Sequence, residues 1–152
     1  MLNLLLLLGA FSGPVLGVLR GSPRSSSYVS AAFTILAAVC GLLLSFNILS
    51  AGGKSSAAAL SLKAPNLIPW INFSFLLDGL AAFFLLIISL LALATAIYSM
   101  GYNKEFYGRN VGVLGLCMNL FILSMIGVVS ADNALVFLIF WEMMTLASYF
   151  LV

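Results

Sequence analysis

Five apolar blocks, each close to the length that crosses a bilayer, occupy most of this 152-residue chain. A transmembrane helix needs about 20 consecutive apolar residues. The blocks that meet or approach this length are 2–19, 28–50, 79–100, 111–129 and 133–152. Only 7% of the residues are charged, against about 25% in a soluble domain, so the chain has too few charges for a solvated surface. The sequence therefore predicts an all-α, polytopic transmembrane bundle of about five spans in a single membrane domain.

The longest connection between blocks, 51–78, has the pattern of a short β-hairpin. Its stretch LSLKAPNLIPWINFSF consists of two extended pieces around Pro65–Asn66. In the second piece, apolar Ile71, Phe73 and Phe75 occupy alternate positions, which is the period of a strand. We expect this hairpin to lie above the hydrocarbon, because open sheet edges are not tolerated within it.

Loop charge predicts the orientation of the bundle. Four of the six basic residues fall in loops 20–27 and 101–110, and the other two fall in 51–78. Cytoplasmic loops of membrane proteins carry an excess of Lys and Arg. The pattern therefore places the N-terminus outside and loop 51–78 on the outer face.

Composition also excludes several classes of site. The net charge is only +2 and forms no basic patch, which argues against a nucleic-acid partner. The chain has no His, and Cys40 and Cys117 lie far apart inside apolar blocks. We therefore predict no metal, haem or iron–sulfur site, no cofactor and no catalytic residue in this chain.

Three acidic residues lie beside or within the apolar blocks, and their positions predict different roles. Asp78 and Asp132 each stand just before an apolar block, where Asp caps a helix and faces the positive end of its dipole. Glu142 is the tenth residue of the last block, roughly 15 Å deep at about 1.5 Å per residue. A charge at that depth costs at least ~2.5 kcal/mol on insertion scales.

Two interpretations of Glu142 follow from this depth. A carboxyl group that can be charged or neutral near the midplane is the essential component of a proton relay. Alternatively, a neutral Glu142 only hydrogen-bonds to a neighbouring helix. Thr145 and Tyr149 lie three and seven residues later, within about 60° of the same helix face, so the candidate relay comprises Glu142, Thr145 and Tyr149. Asn119, also inside a block, is expected to form an interhelical hydrogen bond.

Two stretches resemble a known family. LLDGLAAFFLLIISLLALATAIYSMGY, followed by ADNALVFLIFWEMMTLASYFLV, resembles the antiporter-like membrane subunits of respiratory complexes. That family includes the large subunits of NADH–quinone oxidoreductase, of Mrp antiporters and of membrane-bound hydrogenases. The pieces YSMGY and SYFLV are most similar to hydrogenase-4 component B and the related formate hydrogenlyase subunit. The resemblance covers about 76–152.

The resemblance implies that Glu142 is the acid of the fifth transmembrane helix and pairs with a Lys on a later, broken helix. It implies that the chain is an N-terminal piece of a longer proton-translocating subunit, since members are several times longer. Its partners would be other membrane subunits and, through them, a redox arm, in a prokaryotic inner membrane. Two alternatives stay open: a small self-contained proton-coupled transporter, and a structural or assembly subunit without transport.

Overall fold

The computed structural model describes residues 23–50, 62–63, 74–102 and 111–152. Four long helices make up most of this part of the chain: α1 (Pro23–Ser50), α2 (Gly79–Tyr102), α3 (Val111–Ser130) and α4 (Ala134–Leu151). Each is apolar and long enough to cross a membrane. The predicted all-α transmembrane class is confirmed. The first predicted span, 2–19, lies outside the described residues.

The helices begin and end within two residues of the predicted spans, with one exception. Helix α1 begins at Pro23, five residues before the predicted start at 28. Proline is favoured in the first turn of a helix, because its fixed φ suits the helix and its missing N–H would have had no partner there. The polar residues after Pro23 are therefore helical, although they lie outside the apolar block.

The bundle consists of two packed helix pairs. Helix α1 packs along α2, and α3 packs along α4; α1 and α2 also contact α3. Alanines form much of the α1–α2 core, and a Cβ at Gly41 would collide with the Ser89 side chain. Small residues let helix backbones approach closely in a membrane, where van der Waals packing replaces the hydrophobic effect.

A small sheet closes one end of the bundle, called here the β end. Strands β1 (Leu62–Lys63) and β2 (Ser74–Phe75) pair antiparallel, so the predicted short β-hairpin is confirmed. Phe75 also forms an antiparallel bridge with Ala131 in the α3–α4 connection. The amides of Leu76 and Asp132 donate to the carbonyls of Ser130 and Ser74 over 2.8 and 3.1 Å. Strand β2 thus links the hairpin to the α3–α4 connection.

One of the two predicted helix caps is correct. The N–H of Ala81 donates to Asp78 Oδ1 over 2.7 Å, so Asp78 caps α2. The prediction for Asp132 is wrong, because Asn133 is the N-cap of α4 and accepts from the Leu135 N–H over 3.0 Å. The Asp132 amide pairs with β2, so the chain is still extended there and the helix begins one residue later than the cap prediction required.

Candidate functional site

Glu142 lies at the middle of α4 on its exposed side. It is the ninth of the helix's 18 residues, about 12 Å from either end. Helix α4 packs mainly against α3, and its fully buried residues are Val136 and Ala147. Glu142 is on a different face and is exposed. In a membrane this carboxyl would meet lipid unless another helix covered it.

Nothing in the described part of the chain hydrogen-bonds or ion-pairs with the Glu142 carboxyl. The Thr145 hydroxyl donates to the Trp141 carbonyl over 3.1 Å. Tyr149 is 76% exposed, and its ring packs against that of Phe150 at 5.6 Å. Thus Glu142, Thr145 and Tyr149 share one exposed face, but no direct hydrogen bond joins them within the described residues.

The exposed face of α4 changes character at Glu142. Between Glu142 and the β end it is apolar, with Leu135, Leu138 and Ile139 each more than a third exposed. Between Glu142 and the opposite end, the hydroxyls of Thr145 and Tyr149 are exposed beside the apolar Leu146 and Phe150. A carboxyl can bind and release a proton, and hydroxyls can order water beside it. The groups of this face that can hold a proton or order water are therefore Glu142, Thr145 and Tyr149.

A second polar cluster lies between α1 and α3. The Asn119 amide nitrogen donates to Ser30 Oγ over 2.9 Å and to the Gly115 carbonyl over 2.8 Å. The Thr34 hydroxyl lies 2.6 Å from Asn119 Oδ1 and 2.9 Å from the Ser30 carbonyl. Ser30, Thr34 and Asn119 are all buried. The predicted interhelical hydrogen bond of Asn119 is therefore confirmed.

This cluster borders a cleft of about 280 Å³ at the end of the bundle opposite the sheet. Thr95 and Ser99 of α2 line it as well, and their hydroxyls donate to carbonyls of their own helix. No carboxylate, Lys or Arg is among the described lining residues. The cleft has room for water, but it lacks a group of the kind that makes Glu142 a candidate relay.

A local sequence pattern indicates the Asn119 cluster, but no such pattern indicates the contacts around Phe140. Ser30 and Thr34 are one helical turn apart in the apolar first half of their block, which is a signal for a shared polar partner. Phe140 packs against Phe75 of β2 with ring centroids 5.8 Å apart. These residues are 65 positions apart, and no local pattern predicts their contact.

Comparisons with known proteins agree with this architecture. A family model described as NADH-Ubiquinone oxidoreductase (complex I), chain 5 N-terminus, matches residues 69–107, a range that includes β2 and α2. The chain is 43% identical over 76 residues to hydrogenase-4 component B of Escherichia coli (strain K12). The resemblance to antiporter-like membrane subunits is confirmed.

Other similar proteins include putative antiporter subunits. The chain is 38% identical over 90 residues to putative antiporter subunit mnhA2 of Staphylococcus saprophyticus, and equally so to that of Staphylococcus aureus (strain MRSA252). The alignments cover 50% of this chain for the hydrogenase component and 56% for the antiporter subunits. They span 11% of each relative's length. The family model's match ends before α3 and so does not include Glu142.

Proposed function

We propose that this chain is part of a proton-translocating, antiporter-like membrane subunit of a respiratory-type oxidoreductase or membrane-bound hydrogenase complex. The observation that carries the proposal is the Glu142 carboxyl, halfway along a membrane-length helix, exposed and without a partner in the described residues. An ionisable side chain at that depth marks an ion pathway by default, because its charge is costly there.

In this proposal each residue of the exposed face has a distinct role. Glu142 binds and releases the proton. Thr145 and Tyr149 hold water between Glu142 and the C-terminal end of α4, while the leucines towards the β end exclude it. Thr145 already donates its hydroxyl proton to the Trp141 carbonyl, so its oxygen is left as an acceptor for water or for a protonated Glu142.

The partner of Glu142 is proposed to be a basic side chain on a helix outside this chain. Such a helix would cover the exposed apolar residues of α4, including Leu138, Leu146 and Phe150. A nearby positive charge would lower the cost of ionising the carboxyl and would couple its proton to events elsewhere in the complex. Electron transfer belongs to partner subunits. We further propose a prokaryotic inner membrane, with the N-terminus outside.

The test is Glu142→Gln in the full-length protein within its complex. Gln keeps the size of the side chain and can still hydrogen-bond, but it cannot carry the proton. We expect normal assembly and loss of proton translocation into membrane vesicles. Asp132→Asn is the matched control, because it removes an exposed carboxyl just before the same helix and should leave translocation intact.

The alternatives predict other outcomes. If Glu142 only hydrogen-bonds, Gln should be nearly silent and Glu142→Ala destabilising; full pumping by a well-assembled Glu142→Gln variant would therefore contradict the relay. If the chain is a self-contained transporter, vesicles containing this chain alone should take up protons.

Orientation has its own test. Ser25→Cys and Ser55→Cys should react with a membrane-impermeant thiol reagent from opposite sides. We expect labelling of Ser55→Cys from the outside, and labelling of Ser25→Cys from that side would reverse the proposed topology.

A further inference from the structure

Three residues at the β end, Phe75, Gly127 and Phe140, hold α4 against the rest of the bundle and are called here the aromatic clamp. The rings of Phe75 and Phe140 meet edge to face, with centroids 5.8 Å apart and planes at 65°. This geometry is favourable for aromatic pairs. On the other side, the Phe140 ring fills the space over Gly127 of α3, where a Cβ would overlap the ring.

The clamp is anchored through the backbone as well as through side chains. Phe75 pairs with Leu62 in β1 and forms a bridge with Ala131 just after α3. The neighbouring Leu76 amide donates to the Ser130 carbonyl over 2.8 Å. The Phe75 backbone is therefore paired on both sides of its strand, at the position where its ring meets Phe140.

Phe140 is the largest side chain on the packed face of α4. The fully buried side chains of this helix, Val136 and Ala147, lie on the same face and are smaller than the Phe140 ring. A large ring seated over a glycine resists turning more strongly than a methyl group, because a turn would drive the ring into the neighbouring backbone. Phe140 is thus the residue of α4 best placed to set the angle of the helix about its own axis.

The angle of α4 determines where Glu142 points. Glu142 follows Phe140 by two residues, which is about 200° around the helix, so the two side chains project from nearly opposite faces. A ring seated against α3 and β2 therefore directs the carboxyl away from them. We propose that Phe75, Gly127 and Phe140 are positioning residues that set the direction of the Glu142 carboxyl. This inference builds on the proposed function of Glu142.

The experiment measures the surroundings of Glu142 directly, in the full-length protein in native membranes. Dicyclohexylcarbodiimide is an apolar reagent that couples to protonated carboxyl groups, and the modified Glu142 peptide can be quantified by mass spectrometry as a function of time at a fixed pH. Glu142→Gln must abolish that signal. We expect Phe75→Ala and Phe140→Ala each to change the rate of labelling about threefold, because a turned α4 alters the access of the reagent to the carboxyl.

Two variants separate positioning from general loosening. Phe75→Tyr keeps the ring and should restore the wild-type curve. Phe83→Ala removes a ring of α2 that is 51% exposed and pairs with the adjacent Phe84, and it should leave the curve unchanged. Phe75→Leu, which loses the ring but keeps apolar bulk at the edge of the bundle, carries the test if the alanine variants do not assemble.

The outcomes are distinct from those that test the relay. Assembled Phe75→Leu or Phe140→Ala protein with a wild-type labelling curve would overturn the clamp, as would an equal change in rate in Phe83→Ala. Failure of the relay would instead appear as full pumping by Glu142→Gln, whereas labelling reports the surroundings of Glu142 whether or not its proton is transported. A double Phe75→Ala, Phe140→Ala variant should change the rate no further than the larger single change, because both remove the same contact.

Discussion

Asn119 of α3 and Glu142 of α4 are both polar residues inside membrane-length helices, yet their surroundings are opposite. Asn119 is 3% exposed and has hydrogen-bond partners on α1 and on its own helix. Glu142 is exposed, with no partner for its carboxyl among the described residues. A polar group that is satisfied within the chain contributes to folding. A polar group without a partner among the described residues is a candidate for an interface or an ion path.

The largest expected difference between the two sites appears when each residue is made apolar, because the two changes should affect different properties. Glu142→Leu is expected to make membrane insertion of α4 more favourable by about 3 kcal/mol, since it removes a carboxyl from the centre of the span. An insertion assay on the α3–α4 hairpin measures this, and Thr145→Leu, a smaller polarity change on the same face, is the control. An unchanged insertion energy would mean that the carboxyl does not reach the hydrocarbon.

Asn119→Leu should instead lower the stability of the folded bundle. It leaves Thr34 and Ser30 without their amide partner in a buried site, so we expect a loss of about 2 kcal/mol in the free energy of unfolding. Proton translocation per assembled protein should not change. Denaturation of the purified full-length protein in detergent provides the measurement. Asn47→Leu, at an exposed position of α1, should change the free energy of unfolding little. A loss equal to that of Asn119→Leu would show that the buried hydrogen bonds of Asn119 do not add to stability.

Overpacking at Gly127 tests how firmly α4 is held with Glu142 facing outwards. A methyl group there overlaps the Phe140 ring, so Gly127→Ala should destabilise the protein by about 1.5 kcal/mol. Gly101 of α2 has nothing within 4 Å of an added Cβ, and Gly101→Ala should be neutral or slightly stabilising. Thermal unfolding of both variants decides the point, and similar midpoints would show that the ring moves aside freely.

The smallest effect is expected at the start of α4. Asn133→Ala removes the side chain that accepts from the Leu135 N–H and should cost about 1 kcal/mol. Asp132→Ala should cost less, because the Asp132 contact seen here is made by its backbone amide. Comparing their unfolding midpoints at moderate ionic strength checks this order. A larger loss of stability for Asp132→Ala would mean that Asp132 caps α4, as the sequence predicted.

The sequence predicted the parts of the fold that depend on local composition. The span predicted at 79–100 is helical to Tyr102, and the one at 111–129 is helical to Ser130, because apolar length alone decides whether a segment crosses a membrane. The strand character before Phe75 was also local. Its second pairing, with Ala131, could not be predicted, since contacts across 56 residues have no short-range pattern.

Only one of the two properties of the candidate site, its depth, could be predicted from the sequence. The depth of Glu142 followed from counting residues along its block. The direction in which Glu142 faces could not be predicted, because α4 carries apolar residues on every side. No single hydrophobic face therefore shows which side meets lipid, α3 or a partner helix. That direction depends on Phe140 and Gly127, which are ordinary apolar and small residues in the sequence. Side chains that position a polar group by shape alone carry no polar signal of their own.

The Asn119 cluster has a consequence for how many arrangements the bundle can adopt. Apolar helix surfaces without a specific polar contact can pack in registers that differ by one turn, about 5.4 Å. Asn119 selects one register of α1 against α3, because only that register brings both Ser30 and Thr34 to its amide. A single buried Asn specifies register in coiled coils in the same way. Its loss should therefore yield a mixture of helix registers, so that the protein becomes heterogeneous as well as less stable.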